Sequence, residues 1–324
     1  MIETPSNEKL SILLKNLKKG KEFTVKSRKI LDQNPFAILE VLDFIEIPDK
    51  SYILKSMVSF LKSEILIHEY ASDYKLNGAQ FIFGHSEPSL HFILMEKIDD
   101  IVPIFFIDPE EVAPYFANIT RYLAKFHLES SHDVKTLKNL GIPEFGRRFY
   151  IGILNKIKNK VRKLSTEMNH PYYLTEDLIL EFELTLTKVE KLLKTHPKEE
   201  LALIHGDFDF GNFFVKNINE ICVLDWGMGR IDTPIIDIAN LLNCLEDYGK
   251  DFQNSILNSY YKITTPLIHK KLKLSNIRLL GTLMHLLFFL NFQLNLIESF
   301  IDPMYFIDQI NREVNEIVEK VKER

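Results

Sequence analysis

Between residues 201 and 242 the chain reads LALIHGDFDFGNFFVKNINEICVLDWGMGRIDTPIIDIANLL, with polar groups set among apolar runs. Three of them, Asp207, Asn212 and Asp225, could do chemistry together. Ala202–Ile204 reads as a short buried strand and His205–Asn212 as a loop. Phe213–Val215 and Ile221–Leu224 read as the two arms of a hairpin. Antiparallel pairing sets the start of one arm beside the end of the other, so Asn212 and Asp225 are expected at the same end. Asp207 lies in the adjoining loop. Two carboxylates and an amide gathered there could hold a hard cation such as Mg²⁺ through oxygen. A remaining carboxylate could then accept a hydroxyl proton. Spacing alone leaves a plainer alternative open, because aspartate is common in ordinary turns.

Glycine sharpens the reading. Twelve glycines in 324 residues put about one in any stretch of 26, yet residues 205–230 hold four: Gly206, Gly211, Gly227 and Gly229. Such clustering marks loops whose backbone takes special shapes. His205-Gly206-Asp207 is followed after four residues by Asn212, and thirteen positions later by Asp225 in Asp225-Trp226-Gly227. Pro234-Ile235-Ile236-Asp237-Ile238-Ala239 then opens a helical pattern. These fixed positions resemble the catalytic region of the aminoglycoside phosphotransferase and choline kinase family, which has a protein-kinase-like fold. The resemblance implies that Asp207 is the catalytic base and that Asn212 and Asp225 hold Mg²⁺. It implies that His205 is structural and that Asp237 braces the catalytic loop. The residues themselves point the same way for Asp237: it sits among Ile235, Ile236, Ile238, Leu241 and Leu242, where a carboxylate is costly unless hydrogen-bonded.

Other elements must supply the rest of a nucleotide site. Strand-like Ser51–Met57 offers Lys55, which the resemblance implies as the phosphate-binding lysine. Its expected partner is Glu64, chosen over Glu69 because Phe60, Glu64, Ile67, Ala71 and Tyr74 share one helical face. His91–Ile98 resembles the strand and hinge that receive adenine, with Met95, Glu96 and Ile98 as candidates. Leu123-Ala124-Lys125-Phe126-His127 is similar to a helical pattern of the family, and His127 reads as a packing histidine. No Gly-x-Gly-x-x-Gly loop precedes Lys55, so the turn at Gln33–Phe36 is expected to cover the phosphates instead. Asp209 stands where many relatives carry another residue, and its role is open.

The texture changes near residue 100. Short strand-like runs precede it (23–31, 36–47, 51–58, 79–84 and 91–98), interrupted by a helix at 60–76. Helical patterns follow at 144–165, 173–195, 234–248, 250–262, 268–296 and 303–322, after a helix capped by Asp108 with Pro109 in its first turn. The fold class expected is α+β, bilobal and protein-kinase-like. Residues 1–98 would form a β-rich nucleotide-binding lobe ending in a hinge, and residues 99–324 a helical lobe with the catalytic loop and substrate site. Apolar residues are 46% and charged residues 26%, a balance suited to a packed core. A net charge of −5 argues against nucleic acid as a partner and is compatible with a cationic substrate. Cys222 and Cys244 lie in no metal-ligand spacing and read as free thiols of a reducing compartment. No signal peptide is read at the N-terminus. The uncharged run 279–297 reads as a buried helix rather than a membrane span.

The function expected is a cytoplasmic small-molecule kinase that moves the γ-phosphoryl of ATP, or GTP, to a substrate hydroxyl. Glu129, Asp133, Asp209, Glu246, Asp247, Glu298 and Asp302 are candidates for an acidic pocket around a polycation. Two competing readings are an inactive kinase-like binding or scaffold protein and a protein-serine/threonine kinase. The missing Ala-Pro-Glu segment after Asp225 argues against the latter.

Overall fold

The structure, a computed structural model, describes residues 2–17, 21–73, 81–108, 110–167, 174–195, 201–265, 272–297 and 304–322. The chain divides into two compact units. One combines residues 1–122, 135–143 and 209–230, the other residues 123–134, 144–208 and 231–324.

The first unit is built on an antiparallel sheet of five strands, β1 (Val25–Gln33), β2 (Ala37–Phe44), β3 (Ile47–Met57), β4 (Phe81–Ser86) and β5 (His91–Glu96), in the order β1-β2-β3-β5-β4. Period-two alternation gives the sheet two apolar faces. Leu42, Phe44, Tyr52, Leu54, Phe92 and Leu94 pack with Leu10 and Leu14 of helix α1 (Asn7–Leu17). Met57, Ile93 and Met95, with Ile53 beside them, pack with Leu61 and with Ile65 of helix α2 (Ser63–Asp73). Lys55 lies between Ile53 and Met57, so the pleat aims it at the face that α2 covers. The edge strand β1 is mostly exposed and carries Lys26, Arg28 and Lys29, charges that discourage strand addition. Arg28 holds Glu40 of β2 through two hydrogen bonds of 2.6 Å.

The same unit contains a second sheet, β6 (Val102–Pro103), β8 (Phe213–Asn217) and β9 (Glu220–Val223), together with most of helix α4 (Val134–Leu140) and the first half of α3 (Ala113–His132). The β8–β9 hairpin pairs Phe213 with Val223.

The second unit is helical: α5 (Arg147–Glu167), α6 (Glu176–Thr195), α7 (Ile235–Cys244), α8 (Lys250–Thr264), α9 (Leu274–Leu296) and α10 (Met304–Lys322). A short ladder joins β7 (Ala202–Ile204) to β10 (Arg230–Asp232). Helix α9 is long and apolar enough to cross a membrane by length and composition. It packs against α5, α7 and α10, burying Leu280, Leu283, Leu287 and Leu290. Two of its polar interruptions are paired: Thr282 accepts a hydrogen bond from Asn243, and His285 lies 3.2 Å from the Asn240 amide.

Two sequence expectations shift. Helix α1 has no counterpart among them; its role comes from Leu10 and Leu14 meeting a distant sheet. The helix expected from Asp108 begins at Ala113, and Pro114, not Pro109, occupies its first turn. Asp108 instead closes a turn, its carboxylate accepting the Glu110 N–H at 2.9 Å. Pro109 lies outside the described residues, as do positions 74–80 and 268–271.

Helices α7 and α9 meet at Gly281. A Cβ there would stand 2.3 Å from the Ala239 Cβ and 2.4 Å from the Ile235 carbonyl oxygen. The Gly281→Ala substitution is therefore expected to destabilise the protein by ~1–3 kcal/mol through overpacking, despite alanine's better helix propensity. A urea midpoint equal to or above wild type would show that the crossing is loosely packed.

Candidate active site

In the first unit the site grows from one buried cation. Lys55 is 6% exposed, and its Nζ lies 2.9 and 2.8 Å from Oε1 and Oε2 of Glu64, the Oε1 contact being the well-aligned hydrogen bond. It also donates to Asp225 Oδ1 at 2.6 Å. Burial alone would lower the Lys55 pKa. The Glu64 and Asp225 carboxylates more than offset it and hold the ammonium above its ordinary value. Glu64 shares the buried face of α2 with Ile67 and Ala71, while Glu69 lies on the exposed side. His68, one turn on, stacks on Phe81, with its Nε2 3.7 Å from Glu64 Oε1.

Asp225 follows β9 with φ 62° and ψ 67°, the left-handed region, which costs a non-glycine residue about 1–2 kcal/mol. Its side chain is 60% exposed, unlike that of Glu64 at 1%. The Leu224 N–H donates to the Asn212 carbonyl at 3.1 Å, continuing the hairpin ladder one pair beyond Phe213–Val223. Asn212 and Asp225 thus stand at the same end of the hairpin. Gly227 leaves room for both carboxylates: a Cβ there would come 3.3 Å from Asp225 Oδ1 and 3.4 Å from Glu64 Oε2. No spacing in the sequence pointed to that role.

In the second unit the central group is a buried anion. Asp237, fully buried on α7, accepts the backbone N–H groups of His205 at 2.7 Å and Gly206 at 2.8 Å, one on each oxygen. His127 Nε2 lies 3.1 Å from its Oδ2, and His127 Nδ1 lies 2.8 Å from the Tyr260 hydroxyl. Burial pushes the Asp237 carboxyl up. The His127 hydrogen bond and charge, with His205, outweigh it and leave the pKa below the ordinary carboxylate value. Gly206 has φ 82°, which lets the chain turn so that consecutive N–H groups point at one carboxylate. Asp207 follows, half-buried, with its N–H 3.3 Å from His205 Nδ1. His127 is thus a buried histidine whose two ring nitrogens both have partners. The periodic helix around it explains its burial, but its two polar partners come from α7 and α8. Nearby, the buried Asp232 accepts the Tyr150 hydroxyl at 2.5 Å, a pair the sequence did not suggest.

The remaining candidates separate. Met95 is buried opposite Ile53, Glu96 ends β5 with its side chain on Lys50 at 2.6 Å, and Ile98 lies just beyond the strand. At the β1–β2 turn the Asn34 side chain accepts the N–H groups of Phe36 and Ala37 at 2.8 and 2.9 Å, so these donors are already engaged. Asp209 caps a short 3₁₀ turn by accepting the Gly211 N–H. Glu246 pairs with Arg278 at 2.9 Å. Glu298 and Asp302 lie outside the described residues.

Comparison with known proteins defines the class. The chain is similar to spectinomycin phosphotransferase solved with ADP and spectinomycin, at 13% identity over 99% of this chain and 98% of that one, TM-score 0.64. It is similar to APH(2″)-IIa solved with gentamicin, at 14% over 100% and 98%, TM-score 0.64. It is also similar to choline kinase from Cryptosporidium parvum, at 13% over 92% and 89%, TM-score 0.63. No curated protein matches the sequence. The fold is the α+β, kinase-like fold of these enzymes. A profile of the phosphotransferase enzyme family (APH) matches residues 83–265, more than half of the chain. The chain belongs to that family and is a phosphotransferase with an alcohol group as acceptor.

Asp237 gives a test of the loop's anchorage. Its lowered pKa contributes stability that is present above the unfolded carboxylate value, roughly 3.9, and lost as pH falls through the folded value. The Asp237→Asn variant is expected to lose ~1–3 kcal/mol at pH 7. The gap to wild type should close below about pH 4. Denaturant titrations across pH measure this; a gap that stayed constant with pH would remove the charge from the explanation.

Proposed function

We propose that the protein is an ATP- or GTP-dependent small-molecule kinase that moves the γ-phosphoryl to a hydroxyl of its substrate. The observation that carries this reading is the Lys55–Glu64–Asp225 arrangement: a fixed, charged ammonium beside an approachable carboxylate. Such a cation neutralises nucleotide phosphates, and phosphoryl transfer asks a protein mainly for positioning and charge neutralisation. The ADP and ATP present in relatives of the same fold support a nucleotide co-substrate.

Roles follow by residue. Lys55 binds phosphate oxygens, and Glu64 holds it in place. Asp207 orients the acceptor hydroxyl and accepts its proton. Asp237, through the N–H groups of His205 and Gly206, keeps the loop bearing Asp207 in shape. Met95, Glu96 and Ile98 receive the base, the last two through main-chain atoms. Residues 1–98 serve as the nucleotide-binding lobe ending in this hinge, and residues 99–324 as the catalytic and substrate lobe.

An amide and an exposed carboxylate at one hairpin end suit a hard, partly hydrated cation, and Asn212 and Asp225 would hold Mg²⁺. When bound, the metal neutralises phosphate charge. Among the described residues no group of three or more His, Cys, Asp or Glu forms a richer metal site. The acceptor class remains that of hydroxylated small molecules. Relatives of the same fold act on or bind spectinomycin, gentamicin and choline, which favours a cationic acceptor. We place the enzyme in the cytoplasm, where nucleotide triphosphates are available.

A nucleotide-consumption screen across aminoglycosides, amino alcohols and sugars is expected to find one acceptor class. Nucleotide binding without turnover on any of them would return the chain to the inactive binding or scaffold reading. With an acceptor in hand, Asp207→Ala should lower kcat by at least about 10²–10⁴-fold while nucleotide binding survives. Asp225→Ala should remove the Mg²⁺ dependence of nucleotide binding in a calorimetric titration. Full turnover in the first variant, or unchanged metal dependence in the second, would refute the corresponding role.

A further inference from the structure

His68 is a second titratable side chain on the buried face of α2, and it is 8% exposed. It follows Glu64 by four residues, and side chains at i and i+4 are neighbours on a helix surface. Its ring stacks on Phe81 of β4, with centroids 5.9 Å apart and planes 9° from parallel. The stacking fixes the plane of the imidazole and so the direction in which its nitrogens point.

That direction brings Nε2 to 3.7 Å from Glu64 Oε1. The nitrogen is buried and has no hydrogen-bond partner among the described residues. A bare nitrogen lone pair facing a carboxylate is repelled, so Nε2 is the ring atom that carries a proton. Its N–H is then a buried donor short of its acceptor, which is an unfavourable state. Closing the contact to an ordinary N–H···O length of about 3.0 Å takes a movement of about 0.7 Å.

Glu64 has capacity for this donor. Its side chain is 1% exposed, so water does not serve it, and Lys55 is the partner of both its oxygens. Each carboxylate oxygen has two lone pairs, so Oε1 can accept Lys55 and His68 together. Lys55 also donates to Asp225, whose side chain is 60% exposed. That contact is the replaceable one: a phosphate oxygen can take up the donor that Asp225 now engages. Glu64 is then the fixed counter-charge of an ammonium being drawn toward another anion.

We infer that His68 is a positioning residue for phosphate binding, its Nε2–H holding the Glu64 carboxylate against Lys55 when a nucleotide engages the ammonium. It touches neither substrate nor phosphate and acts through Glu64. Hydrogen bonds of this kind are often long without ligand and tighten in the complex. The inference rests on the reading of Lys55 as a phosphate-binding group and adds to it a residue that the sequence did not suggest.

Proton-coupled ¹⁵N spectroscopy of the His68 ring in the full chain tests the contact without any substitution. A proton on Nε2 is expected, and a proton on Nδ1 alone would overturn the inference. Calorimetry with Mg²⁺ and adenylyl or guanylyl imidodiphosphate, with adenosine and guanosine as phosphate-free controls, tests the consequence. His68→Phe keeps a ring against Phe81 and removes the donor. It should bind the triphosphate analogue at least about fivefold more weakly than wild type, with nucleoside affinity unchanged. His68→Gln, whose amide N–H can take the place of Nε2–H, should recover most of that loss. A role in packing alone would weaken nucleoside and triphosphate together and would be met better by phenylalanine than by glutamine. Unchanged triphosphate affinity in His68→Phe, or a loss that glutamine does not recover, overturns this inference alone. Absence of analogue binding to wild type refutes the nucleotide reading itself, and this inference with it.

Discussion

An ammonium removed from water needs counter-charges, and the first unit is organised around one. Lys55 is set by the pleat of β3 on the face that α2 covers, where, among the described residues, Glu64 and Asp225 compensate it. The two carboxylates are not equivalent. Glu64 is sealed and fixes the cation's position; Asp225 is open to solvent and remains able to meet another charge. Losing either would leave an imbalance in a region of low dielectric, which is the expensive way to disturb an ion pair. The sheet register, the position of α2 and the left-handed turn at Asp225 are thereby coupled to one charge.

The second unit faces the converse difficulty and meets it with hydrogen bonds. Asp237 is an anion within a helix of isoleucine and leucine, and it is held by two backbone donors and a histidine. These donors belong to a loop of special backbone shape, so satisfying the carboxylate and shaping the loop are one event. His127 and Tyr260 extend the network to α3 and α8. A kinase-like site needs its polar groups held in place before substrate arrives, and buried charges with few acceptable arrangements provide that rigidity.

Much of the helical unit was legible because long apolar periodicities leave little choice. The pattern at 173–195 became α6, and the uncharged run at 279–297 became the interior of α9. The β8–β9 hairpin was legible for a related reason: two short apolar arms separated by a polar turn fix which residues end up opposite, and so put Asn212 beside Leu224. Helix α1 was not legible. Its stripe of Leu10 and Leu14 is short, and what it covers lies tens of residues away. The start of α3 was misplaced because Asp108 satisfies a turn as readily as it would cap a helix.

Sequence by itself determined residue types at fixed separations: His205-Gly206-Asp207, Asn212, Asp225 and the run ending in Asp237-Ile238-Ala239. These are local constraints, written within residues 205–239, and they sufficed to indicate family and chemistry. Only the tertiary structure decided which charges meet. Lys55 and Asp225 are 170 positions apart, His127 and Asp237 110. No periodicity reaches that far. Long-range pairing is set by how sheets and helices pack, and a buried charge takes whichever partner that packing brings within hydrogen-bonding distance.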